Sequence, residues 1–361
     1  MKINKMNKMA KILILVTIAV ILGIFNAGSS VQAAGQELNV LTWCDHTDPA
    51  LLRPFEEKHN VRINMKEYDG TGVALALLEQ SQPGDWDVFV VDSIDVKRVV
   101  KLGLLEPLNT KDFSWDDIFP EIRTPELHNV DGKLYAMPEK FGYNTIAYNN
   151  KKADPTDMRD AAVLWNPKYK GRIAVYDYYI PVIEMVAIGL GIKPTELNAS
   201  HLPAIKEKLF KMKELSALVG DVVQVQTALA TGEVDIIAGG GEFAVSVLHK
   251  ENPALDWVLP DQGGVRWQQA IGIFAASKKK DLALKFVQYI LSPEGQGRLA
   301  TSSCYWAMPA NSKAVLTAEQ KKILRWDEQP KFLANSFFYL QPDEAFDKAM
   351  LDVWTEFLQH K

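Results

Sequence analysis

Short apolar runs rich in valine and isoleucine alternate along this chain with stretches whose apolar residues recur every three or four positions. A strand period followed by a helix period, repeated, predicts α/β lobes on mainly parallel sheets, since a helix carries the chain back to start the next parallel strand. ELNVLTW, RINMKEY and DVFVVDS read as strands, with DPALLRPFEEKHN and GTGVALALLEQSQ as the helices between them. Asp48 as N-cap and Pro49 in the first turn predict where the first of these helices starts. GRIAVYD and EVDIIAG read as buried strands of a second set, with AIKEKLFKMKELSALV and FAVSVLHKEN as helices around them. VRWQQAIGIFAAS alternates like a strand and leads into a helix over KDLALKFVQYILSP. The tail segments AEQKKILRWDEQ and PDEAFDKAMLDVWTEFLQHK carry the spacing of helices packed on a surface.

Ahead of this pattern, Lys2, Lys5, Lys8 and Lys11 precede an apolar run from Ile12 to Phe25 and then small residues. That order predicts a secretory signal over residues 1–33, cut after Ala33, and a chain exported to the periplasm. Removing four lysines and no acid takes the formal charge from −5 to about −9, which argues against nucleic acid or an anionic membrane as a partner. The remaining length of roughly 325 residues exceeds what one core supports, so two lobes are expected.

Catalytic signatures are missing. No G-x-S-x-G, H-E-x-x-H, C-x-x-C, G-x-x-x-x-G-K-[ST] or G-x-G-x-x-G occurs, and the six histidines are scattered. An exported hydrolase would need a nucleophile and a base that the sequence does not supply. We therefore expect no catalytic residue, no metal and no cofactor. The first strand instead ends in Trp43, Cys44, Asp45 and His46 just ahead of a helix start, which is where open α/β sheets bind ligands. Cys44 and Cys304 are the two cysteines, read either as a long-range bridge or as two separate thiols.

LNVLTWCDHTDPALLRPFEEKHNVRI, DWDVFVVDSIDVKRVVKLGLLEPLNT, DGKLYAMPEKFGYNTIAYN, NPKYKGRIAVYD, LATGEVDIIAGGGEFAV, GGVRWQQAIGIFAASKKKDLALKFVQYILSPEGQGRLA and YWAMPAN follow one another with characteristic spacing. In that order the chain resembles the extracellular solute-binding proteins of ABC importers, and most of all their polyamine-binding branch, which takes putrescine and spermidine. The resemblance implies a type II two-lobe fold with the ligand cleft between the lobes. It implies lobe one over residues 36–146 and 268–315, lobe two over 147–267 and 316–361, and crossings at Tyr143 to Asn149 and Trp267 to Ala270. It further implies a monomer that captures a small cationic amine and docks transiently on a membrane permease.

Carried over residue by residue, the resemblance places ligand-stacking rings at Trp43 and Trp267, a ring position at His46, a cleft serine at Ser93, and an aromatic near Trp306. Asp95 stands where relatives carry a ring, and Gln269 where they carry an ammonium-binding aspartate. Asp92, Asp177, Tyr178 and Glu242 complete the expected lining, with Tyr143 at the crossing. Rings suit such a ligand because a cation over an aromatic face is attracted by the ring quadrupole. With Gln269 in place of an acid, a zwitterionic amino-acid-like ligand or a quaternary amine is the second reading. A ferric-ion binder, using Tyr178, Tyr179 and His46 as hard ligands, is a third. If Trp43 and Trp306 line one cleft, Cys44 and Cys304 come within reach of a bridge.

Overall fold

The computed structural model describes residues 36–68 and 70–360, so the expected signal segment and its cut lie outside the described residues. Strands β1 (Gln36–Thr42), β2 (Val61–Glu67) and β3 (Val88–Asp92) pair in the order β2-β1-β3, all parallel. The helix Pro49–His59 returns the chain from β1 to β2. Asp48 caps it by accepting from Ala50 N at 2.8 Å, and Asn60 ends it in the left-handed region at φ 48°. The helix Thr71–Glu79 connects β2 to β3.

A second parallel trio repeats the arrangement. β7 (Ile173–Tyr176), β8 (Ser216–Gly220) and β9 (Ile236–Gly240) pair in the order β8-β7-β9. The helices Tyr179–Gly189 and Leu202–Leu215 lie between β7 and β8. The helix Val222–Thr231, opened by a capping box of Asp221 and Gln224, leads to β9. One expectation fails here. SALV, read as the end of a helix, forms β8, because Ser216 turns the backbone extended after Leu215 and the segment gains a ladder against β7 that skips only Ala217. Tertiary pairing outweighs local helix propensity at such a boundary.

Antiparallel strands join the trios into one sheet. β6 (Ala136–Asn149) is buried along all of its length, and β11 (Gly264–Ile273) runs beside it. The first half of β6 pairs with the second half of β11, which also pairs with β3. The second half of β6 pairs with β9 and with β10 (Leu255–Val258). β12 (Met308–Pro309) adds to β6, and a small β4–β5 hairpin (Asn129–Val130, Lys133–Leu134) stands apart. β13 (Ser336–Phe338) runs parallel to the start of β11, so a third segment accompanies the two strands at the junction.

The ladder slips once between β6 and β11. Gln269 faces Lys140 and Ala270 faces Pro138, which leaves Glu139 without a partner. Such a bulge bends a strand and re-aims its side chains.

Each trio has its own apolar core. Leu38, Val40, Val88, Ile271 and Phe286 belong to the first; Ile173, Val186, Leu209, Trp354 and Phe357 belong to the second. A further cluster around Phe141, Tyr143, Trp257 and Phe332 fills the junction. Among the described residues no helix is long and apolar enough to cross a membrane.

Candidate functional site

Trp43 follows directly on β1 and Asp92 ends β3, so both sit at the edge of the first trio that faces the junction. Asp92 on β3, Gln269 on β11 and Lys140 on β6 stand opposite one another across three adjacent strands. Residues paired in this way point to one face of a sheet. An acid, an amide and an ammonium thus form a row across the floor of the site. Burial pushes Asp92 up to about 7; the Gln269 amide pulls it down, the charge of Asp95 raises it, and Lys140 lowers it again.

Four tyrosines feel the field of Asp92. Tyr68, Tyr178, Tyr305 and Tyr339 are all held above the ordinary phenol range, by burial first and by the neighbouring acids after it, with Asp92 acting on every one. Tyr68 follows β2, and its ring lies 5.4 Å from that of Trp43. Tyr178 precedes the helix Tyr179–Gly189 of the second trio, 5.9 Å from Tyr176 and 6.0 Å from Tyr339. Tyr339 comes from the tail, where its hydroxyl donates to Asn144 Oδ1 and its N–H to Arg266 O at 3.2 Å. The charge of one carboxylate is thus felt by rings of both trios, of the tail and of the loop after Cys304.

Beneath the row lies a buried ionic group. Asp45, His46, Glu139 and Lys140 are all 0% exposed. His46 faces Asp45 Oδ1 through Nδ1 at 3.1 Å and Glu139 Oε2 through Nε2 at 3.0 Å. Two carboxylate acceptors call for two N–H donors, which only the imidazolium has. Burial opposes that charge, but Glu139 and Asp45 raise the His46 pKa overall. Lys140 Nζ pairs with Asp45, lies 3.8 Å from Glu139 Oε1, and stands 5.3 Å from the centroid of the Tyr305 ring. Adjacent residues of a regular strand point to opposite faces, and the bulge at Glu139 is what lets Glu139 and Lys140 serve one cluster. Cys44 and Cys304 are joined by a disulfide with Cα atoms 6.0 Å apart, tying the Asp45–His46 segment to the loop that carries Tyr305.

The residues singled out from the sequence divide into three groups. Trp43, Asp92, Asp95, Tyr178 and Gln269 gather at the row. Trp267 and Glu242 meet over Gly142, where a Cβ would collide with Glu242 Oε1 and with the indole ring. Burial pushes Glu242 up to about 8, and its oxygens accept from Tyr143 N at 3.1 and 3.2 Å.

The others face elsewhere. His46 is enclosed between two carboxylates rather than presented as a ring. Ser93 is buried and donates to His128 Nε2 at 2.9 Å. Tyr143 belongs to the junction core and donates to Gln329 Oε1 at 2.8 Å. Asp177 accepts from Trp354 Nε1 at 2.9 Å, which turns it toward the final helix. Trp306 packs on the junction core, and its neighbour Tyr305 faces the buried cluster, its ring centre 5.3 Å from Lys140 Nζ. Tyr179, paired with Tyr178 in the ferric reading, donates to Asp347 Oδ1 at 2.6 Å and so does not converge with it. Among the described residues no group of three or more His, Cys, Asp or Glu side chains is placed to hold a metal ion.

Tyr68, Tyr305, Tyr339 and Lys140 went unread in the sequence. The alternation of Tyr305 and Trp306 was the one signal available, since only one of two successive residues on an extended segment can face the site. Two cavities, of about 280 and 520 Å³, flank the Asp256–Arg325 ion pair, and none of the residues at the row lines either.

Residues 50–332 match the family described as bacterial extracellular solute-binding protein. The spermidine/putrescine-binding periplasmic protein of Escherichia coli (strain K12) is 25% identical over 282 residues, covering 77% of this chain and 79% of that one. The putrescine/cadaverine-binding protein of Pseudomonas aeruginosa is 22% identical over 285 residues, covering 76% and 79%. The crystal structure of a spermidine/putrescine ABC transporter substrate-binding protein from Streptococcus pneumoniae superposes with a TM-score of 0.77 at 20% identity, over 90% of this chain and 99% of that one. Fold, ordered sequence and family match agree, and the chain belongs to the bacterial extracellular solute-binding protein family.

Proposed function

We propose that this protein captures a polyamine or related cationic amine in the cleft between its lobes, in the periplasm, and delivers it to the permease of an ABC importer. The observation that carries the reading is Asp92, a carboxyl group at the end of β3 that stands opposite Gln269 on β11 and whose charge acts on tyrosines of both trios and the tail. A carboxylate supplies charge-assisted hydrogen bonds to an ammonium, and the rings supply cation–π attraction in a setting poor in water. The names of the relatives, which bind spermidine, putrescine and cadaverine, point the same way. In this reading lobe one is residues 36–146 and 268–315, lobe two is 147–267 and 316–361, and the protein works as a monomer. Ligand contacts to both lobes then favour a hinge closure that presents a permease-competent surface.

Calorimetric titration with putrescine and spermidine tests the reading, together with thermal shifts across the same amines. Binding of an amine that Asp92→Asn abolishes supports it, and no response to any amine overturns it. The pH profile adds a signature. An amine stays cationic throughout, while Asp92 gains a proton below about 7. Affinity should hold above that value and fall by about tenfold per pH unit below it, since the ligand then competes with a proton.

A further inference from the structure

The row Asp92–Gln269–Lys140 has unlike ends. At the Lys140 end a cation site is already complete. Its ammonium is fully buried, paired with Asp45, 3.8 Å from Glu139 Oε1 and 5.3 Å from the centre of the Tyr305 ring. Ring and carboxylates together are what a free ammonium would seek. The charges there are also spent. His46, with a carboxylate against each ring nitrogen, is an imidazolium, so two cations balance Asp45 and Glu139 and nothing remains to draw another. A second ammonium brought to this end would meet the like charge of Lys140 where water screens it poorly. At the other end the charge of Asp95 acts on Asp92, and among the described residues no ion pair is formed with Asp92, Lys140 being paired with Asp45. Over Gly142, Glu242 is engaged by Tyr143 N and provides no further open acid.

We propose that Lys140 is a built-in ammonium that fills one of two cation sites of the cleft from within the chain, so that the ligand carries a single cationic end, received by Asp92. The ligand class is then a monoamine, a quaternary amine or an amino-acid-like molecule rather than a diamine extended across both ends. This deepens the cationic-amine reading and rests on it.

The test compares putrescine with n-butylamine, which has the same four-carbon chain and one ammonium fewer, by calorimetric titration of the native protein and of Lys140→Met. The native protein should bind n-butylamine at least as tightly as putrescine. Lys140→Met removes the built-in ammonium and leaves the acids at that end short of one positive charge, and should move the affinity ratio toward putrescine by at least about tenfold. A native preference for putrescine of more than about tenfold overturns the proposal and leaves the cationic cleft standing. An unchanged ratio in a folded Lys140→Met does the same. If that variant does not fold, the native ratio alone decides. Binding of neither amine to the native protein overturns the cationic cleft and this proposal together.

Discussion

The two walls of the site differ in how they are made. The wall from the first trio carries two aspartates, Asp92 and Asp95, beside the ion-paired Asp45–His46–Glu139–Lys140 cluster, and a disulfide ties two of its segments together. The opposite wall presents rings, Tyr176, Tyr178 and Tyr339, and its buried acids Glu184 and Glu242 are both pushed up to about 8 by burial and so hold their protons at neutral pH. In the proposed reading the difference divides the work: the first wall would read the ligand's charge, while an uncharged wall of rings would cover it and exclude water at little desolvation cost.

Four tests would break or sharpen this contrast. The pair Cys44→Ser and Cys304→Ser opens a bridge between residues 260 apart and should cost about 3–5 kcal/mol in chemical denaturation, loosening only the charged wall. An unchanged midpoint would mean that the ionic cluster holds those segments by itself.

Asp92→Asn should weaken amine binding by about 30-fold or more, equivalent to about 2 kcal/mol, with Tyr178→Phe staying within about threefold. If both variants weaken binding alike, the division between charge-reading and ring-supplying walls is wrong.

Glu184→Gln should leave the melting temperature unchanged at acid pH and raise stability by up to about 5 kcal/mol near pH 9. The sign follows from the native state keeping a proton up to about 8 that the unfolded chain releases near 4.5. The native protein's stability from this group is therefore full below 4.5 and lost as pH rises through 8. A variant that is less stable at every pH would show that the acid is ionised in place.

Tyr178→Ala should cost the least, about five- to tenfold in affinity, read by titration at constant salt.

Much of the fold was legible because each trio is assembled from neighbours in sequence. Valine-rich runs, the Asp48 cap and the helix periods fixed β1, β2 and β3 and their connections. β8 was not legible, since Ser216–Gly220 follows a helix without a break in hydropathy and becomes a strand through its pairing with β7. β13 was out of reach for the same reason, as its ladder is with β11, some seventy positions earlier. The site was legible where a strand ends, at Trp43 and Asp92, and where β11 crosses, at Gln269. It was illegible where a bulge changes which way a residue points. Nothing in PEKF announces that Glu139 and Lys140 share a cluster, or that they would enclose His46.

The interleaving of the chain sets a timetable for folding. β3 needs β11, and the helix Tyr179–Gly189 needs the final helix Glu344–Gln359 to cover its apolar residues. The first core therefore waits for segments as far along as Leu299, and the second for the final helix. Contacts so distant in sequence form slowly, which keeps a newly synthesised chain open. A chain whose second core waits for the helix Glu344–Gln359 exposes the apolar face of Tyr179–Gly189 until that late helix docks.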